Sequence, residues 1–163
     1  MDLKAMFSMQ KELDSFIKKE HGLEKEDLIS QKVLALLVEI GELANETRCF
    51  KFWSLKPSAP RERILEEFVD GVHFILSLGI ELGYDQEEFI FEEIKVETDN
   101  VQAFINIYGQ VNSFWNDPSI LHFHKLLEGY LGLAQNLGFH PEEIEQAYRA
   151  KNDVNFQRQH EGY

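Results

Sequence analysis

Five clusters of chain-breaking residues divide this chain into stretches whose apolar side chains recur with the period of an α-helix. The clusters are His21-Gly22, Pro57 to Pro60, Gly83-Tyr84-Asp85, Asn116-Asp117-Pro118 and Gly138 to Pro141. That punctuation predicts helices at roughly 2–20, 30–50, 60–82, 85–113, 118–137 and 141–158. Pro118 and Pro141 fall at early helical positions, where a missing N–H leaves no hydrogen bond unmade. No pair of segments reads as a strand pair, and no repeat or low-complexity tract occurs. With 163 residues, 44% of them apolar and thirteen Phe, the chain can bury one real core. The expectation is a single all-α domain over residues 1–163, a bundle of about five to seven helices.

Charge narrows what such a bundle can bind. Sixteen Lys and Arg against twenty-nine Asp and Glu leave a net charge of -13, the wrong sign for holding nucleic acid by bulk electrostatics. An acidic chain can still bind a polyanionic small molecule if divalent cations bridge the two. The single Cys49 excludes an internal disulfide. No 18-residue apolar run and no signal-like N-terminal stretch is present. The cytoplasm is the expected compartment, with no membrane partner.

Two acidic pairs carry the chemistry. On a helical wheel for 33–50, Val33, Leu36, Leu37, Ile40, Leu43 and Ala44 form an apolar stripe, and Glu39, Glu42 and Glu46 line up beside it. Phe50 and, if the helix continues, Trp53 extend the acidic stripe. Segment 61–82 sets Leu65, Phe68, Val72, Ile75, Leu76 and Gly79 on one face, with Glu67, Asp70, Phe74 and Glu81 on the other. A helix with Phe beside its acids is packed on both sides, so its carboxylates face another element and need a counter-charge. Acids at i and i+3 share a face, so Glu39/Glu42 opposite Glu67/Asp70 could offer four oxygen ligands. An all-oxygen set suits Mg²⁺ or Mn²⁺ shared with substrate phosphates. A di-iron bundle would want Glu-x-x-His motifs, which are absent; His73 has the wrong spacing. Solvated surface acids remain the competing reading.

Polar residues on inward faces are the other signal. The C-terminal stripe of Ile144, Tyr148, Lys151, Asn155 and Arg158 turns cationic as it runs on, fit for phosphate oxygens or for pairing with the many acids. Gln10 and Asp14 lie among Leu3, Met6, Phe7, Leu13 and Ile17. A buried amide there can read a base edge or satisfy a neighbouring helix. His122, His124 and His140 read as surface or helix-end residues.

Glu39-Ile-Gly-Glu42, Phe50-Lys51-Phe52-Trp53, Glu67-Phe-Val-Asp70-Gly-Val-His73-Phe74 and the ending Lys151-Asn152-x-x-Asn155-x-x-Arg158-Gln159-x-x-Gly162-Tyr163 resemble the dimeric all-α dUTPases, within the MazG-like NTP pyrophosphohydrolase superfamily. The acidic motifs are shared across that superfamily; the C-terminal one is the more specific mark. The resemblance implies hydrolysis of dUTP, and of dUDP, to dUMP, with pyrophosphate leaving dUTP after water attacks the α-phosphorus. It implies Mg²⁺, two or more ions per site with Mn²⁺ able to substitute, held by Glu39, Glu42, Glu67 and Asp70. Glu42 would also orient and deprotonate the water. By matching position, Lys151 and Arg158 would bind phosphate, Gln10 and Asn155 would read uracil, and Trp53, Phe74 and His73 would wall the nucleoside. Pockets completed across a homodimer, built through helix packing, are implied as well. Asp14 departs from the amide that longer members can carry, so the resemblance gives it no role. The alternatives are a MazG-like pyrophosphohydrolase for dCTP or modified nucleotides, and a helical dimeric interaction module without activity.

Overall fold

The computed structural model describes residues 1–91, 97 and 99–162. Among them lie six α-helices and no strand. These are α1 (Leu3–Glu20), α2 (Ile29–Thr47), α3 (Arg61–Glu81), α4 (Asn100–Asn116), α5 (Ile120–Asn136) and α6 (Pro141–His160). The all-α expectation holds, and all six form around one apolar core.

α3 is the axis. Phe68, Val69, Val72, His73, Ile75, Leu76, Ser77 and Leu78 are all buried, so the helix is covered on several sides. Its main neighbour is α2, with α6 and α1 next and α5 touching one flank. Two glycines allow the α5 approach. A Cβ on Gly71 would stand 2.0 Å from the Tyr130 hydroxyl, and one on Gly79 would meet the Phe123 ring at 2.6 Å. Tyr130 stacks on Phe68 with centroids 4.5 Å apart and donates to the Phe68 carbonyl at 2.9 Å. That backbone segment carries Asp70, so the tight packing under α3 fixes where the acid stands.

Local signals explain most boundaries. α6 opens on Pro141 as expected, and the His140 N–H donates to the Glu143 carboxylate at 2.9 Å. Pro118, by contrast, stays outside α5, which begins at Ile120 after Ser119. The expected 30–50 helix ends earlier, at Thr47. Arg48 turns left-handed at φ 59° and its guanidinium binds the Ser54 hydroxyl and the Lys56 carbonyl. Phe50 and Trp53 therefore sit in a loop and do not continue the acidic stripe.

The expected 85–113 helix is also corrected. A short 3-10 turn, Tyr84–Gln86, is followed by non-helical residues 87–91, and α4 starts only at Asn100, capped by the Asp99 side chain at Val101 N–H. Phe89 packs on Phe7 and Phe123 from that extended run, a tertiary contact that outweighs the helical spacing. The part of that expectation covering 92–96 and 98 lies outside the described residues, as does Tyr163 of the C-terminal motif. No helix among the described residues is long and apolar enough to cross a membrane.

Candidate active site

Helices α1, α2, α3 and α6 enclose a cleft of about 300 Å³. One end is acidic. Glu39 from α2 and Glu67 and Asp70 from α3 each place a carboxylate oxygen within 4.8 Å of the other two. Glu42, one turn beyond Glu39, is exposed and stands outside this trio, although its charge is felt by both Glu39 and Glu67.

The acids are unevenly compensated. Glu67 is only 2% exposed and is paired with Arg63 one turn back. Lys151 crosses from α6, its Nζ 2.8 Å from Asp70 Oδ2 and 2.9 Å from Glu66 Oε1. Arg158 lines the same cleft, and its charge also favours the Asp70 carboxylate. Glu39 has no ion pair among the described residues. Burial, reinforced by Asp70, Glu42 and Glu67, pushes its pKa up to about 7 against the opposing charge of Lys151. Burial also raises Glu67 and Asp70, opposed chiefly by Arg63 in the first case and by Lys151 in the second.

Three converging carboxylate oxygens with raised proton affinity fit a hard divalent cation well. Oxygen donors suit Mg²⁺ or Mn²⁺, and a bound cation would supply the counter-charge whose lack, with burial first and mutual repulsion second, now favours protonation. Acids whose pKa values are raised by burial and by one another, gathered in a cleft, also mark a candidate functional site.

The other end is polar and densely hydrogen-bonded. Gln10 is buried; its Nε2 donates to Asp14 Oδ1 at 2.8 Å, and its Oε1 lies 2.7 Å from His73 Nδ1 and 2.9 Å from the Tyr148 hydroxyl. Asp14 Oδ2 receives Lys32 Nζ at 3.3 Å and the Ser77 hydroxyl. Lys32 in turn pairs with Glu81, which Lys18 also contacts at 2.6 Å. Phe74 and Asn155 also line the cleft.

Nine of the eleven side chains proposed from sequence thus border one space or its acidic rim: Glu39, Glu67, Asp70, Lys151, Arg158, Gln10, Asn155, His73 and Phe74. Glu42 stands at the outer edge. Trp53 does not line the cleft; it is 65% exposed and sits edge-on to Phe52 and Phe50 in the loop after α2. Sequence reasoning missed Lys32, Ser77, Glu66 and Arg63. Arg63 and Glu66 had a local signal, the i, i+3 and i, i+4 spacing of Arg63 to Glu66 and Glu67.

A helical bundle that holds clustered acids opposite a lysine and an arginine, above a pocket closed by amides and rings, belongs to the class of α-helical phosphohydrolases that handle phosphate chains with bound cations. The particular family follows from comparison with known families. A family model described as dUTPase matches residues 2–163, and the chain belongs to this all-α dUTPase family. It is accordingly a dUTP diphosphatase of a metal-dependent family, which sets aside the reading as an interaction module without activity. No curated protein matches the sequence.

Proposed function

We propose that the chain is a Mg²⁺-dependent enzyme of the cytoplasm that converts dUTP, and also dUDP, to dUMP, releasing pyrophosphate from dUTP. The observation that carries this reading is the meeting of Glu39, Glu67 and Asp70 with Lys151 and Arg158 at one end of a cleft whose far end is lined by amides and aromatic rings.

Glu39, Glu67 and Asp70, with Glu42 at the rim, would hold the cations. Bound Mg²⁺ supplies charge neutralisation for the phosphate chain and a more acidic water. Lys151 and Arg158 bind phosphate oxygens; Lys151 can exchange its contacts with Glu66 and Asp70 for them. Glu42, the most exposed of the four acids, orients water toward the α-phosphorus and takes its proton. Phe74 packs on the nucleoside. Asn155 and the remaining N–H of Gln10 meet the base, where paired donors and acceptors reject cytosine more strongly than apolar contact could.

A homodimer is part of this reading. Support comes from the exposed Leu34 and Val38 on α2 and Ile105, Tyr108 and Trp115 on α4, which leave an apolar face open to a second copy. Trp53, outside its own chain's cleft, is then available to wall the partner's pocket.

The deciding experiment incubates purified protein and Mg²⁺ with the eight common nucleoside triphosphates. Selective conversion of dUTP to dUMP and pyrophosphate is expected; equal turnover of dCTP would end the claim of uracil specificity. Sedimentation of the same sample measures the oligomeric state.

A further inference from the structure

Asp14 has no role in the reading above, yet donors converge on it. Lys32 and the Ser77 hydroxyl reach Oδ2, and Gln10 Nε2 reaches Oδ1. A carboxylate can only accept, so it dictates which way the Gln10 amide points. Turned over, Gln10 would set its carbonyl oxygen against the carboxylate in a buried site, with no proton between them.

With the amide so held, Gln10 Oε1 faces His73 Nδ1 at 2.7 Å. A carbonyl oxygen also only accepts, so Nδ1 must carry the imidazole proton. The ring is 6% exposed and stacked on Tyr148 with centroids 4.3 Å apart, which prevents it from turning. Burial, and to a lesser degree the Lys151 charge, lowers its pKa to about 3 and keeps it neutral. Nε2 is left as a bare lone pair, buried and with no hydrogen-bond partner among the described residues, on a side chain that lines the cleft.

We propose that Asp14 is a positioning residue that sets the polarity of the cleft through Gln10, making His73 Nε2 an obligatory acceptor for a donor of the bound nucleotide, either a sugar hydroxyl or the imide N–H of the base. The ligand half of this inference rests on the cleft being the nucleotide site. The relay half is a property of the free protein.

The relay is tested first in wild-type protein without nucleotide, by ¹⁵N–¹H correlation of the histidine rings, a measurement that needs no variant to fold. A proton on His73 Nδ1 is expected, and a proton on Nε2 overturns the proposal. In Asp14→Asn the new amide can donate to Gln10 Oε1, so Gln10 turns over and the His73 proton moves to Nε2; an unchanged tautomer in a folded variant also overturns it. For dUTP, the variant should raise KM about tenfold or more with kcat little changed.

Two analogues identify the donor. If the sugar hydroxyl meets Nε2, 2′,3′-dideoxyuridine triphosphate loses about tenfold in KM with wild-type protein; if the imide does, N3-methyl-dUTP does so. If the dideoxy analogue carries the penalty, that penalty should vanish in Asp14→Asn, because a protonated Nε2 no longer accepts. Wild-type KM values for both analogues equal to that for dUTP would refute the acceptor role. Failure of wild-type protein to hydrolyse dUTP would count against the proposed substrate and leave the ring measurement standing.

Discussion

Metal affinity should depend on pH through Glu39, the cluster's one acid without an ion pair among the described residues. Its pKa of about 7 means that a cation must displace a proton in neutral or acidic solution. The ionised fraction is about one half at pH 7, about one tenth at pH 6 and about one hundredth at pH 5. Apparent affinity for Mn²⁺ or Mg²⁺ should therefore fall roughly tenfold per pH unit below 7 and level off above about pH 8. Glu67 and Asp70, also raised, can only steepen that fall at lower pH. Glu39→Gln removes the Glu39 share, so its weaker binding should vary much less between about pH 6 and 8. The same shift acts on the metal-free fold. Because the native carboxyl holds its proton to higher pH than the unfolded one, this group's contribution to stability declines as pH rises from about 4.5 to about 7 and stays lost above. Added cation should thus raise Tm more at pH 8 than at pH 5. Isothermal titration with Mn²⁺ across pH, in wild type and Glu39→Gln, measures the effect. Wild-type affinity that is flat between pH 6 and 8, or equal slopes in the two proteins, would refute the reasoning.

Other substitutions probe the remaining parts. Glu42→Gln should lower dUTP turnover by roughly 10³-fold with the fold intact by circular dichroism; full retained activity would remove it from the proposed mechanism. Lys151→Met takes a positive charge from beside Asp70 and should both weaken dUTP binding and raise the carboxyl pKa further, read as a higher KM and a more alkaline metal-binding profile. Gly71→Ala forces a methyl group onto the Tyr130 hydroxyl and should cost about 1–3 kcal/mol or more in urea denaturation. Combining it with Tyr130→Phe should recover only part of that loss, because the ring carbon behind the hydroxyl is itself 2.7 Å from the same position.

The sequence pattern carried the fold where local chemistry sets the outcome. Pro141 behind His140 begins α6, and the two-faced pattern of α3 matches a helix buried on several sides. It failed where tertiary contacts decide. Nothing local marks Thr47 as an end, since the left-handed residue is Arg48 and not glycine, and the turn is held by Ser54, Lys56 and the Ala59 N–H on the Glu46 carbonyl. The i, i+3 spacing of Glu67 and Asp70, and the stripe of Lys151, Asn155 and Arg158, made most of the cleft legible because each lies on one regular helix. Partnerships across the bundle were not legible. Ser77 with Asp14 and Lys151 with Glu66 join residues 63 and 85 positions apart, and no periodicity relates them.

The two ends of the cleft differ in a way that explains why an acidic protein can manage a triphosphate. At the amide end, Gln10, Asp14, Lys32, Ser77 and Glu81 satisfy one another, so their arrangement exists before any ligand arrives. At the acidic end the account does not close. Arg63 answers Glu67 and Lys151 answers Asp70, but Glu39 has no cation of its own among the described residues and holds its proton up to about pH 7. A polyanion entering alone would add negative charge to that imbalance, whereas one arriving with divalent cations would bring what Glu39 lacks and offer Lys151 other anionic oxygens in place of Asp70. The net charge of -13, which argues against capture of phosphate by a basic surface, is thus compatible with a site whose positive charge comes largely from outside the chain.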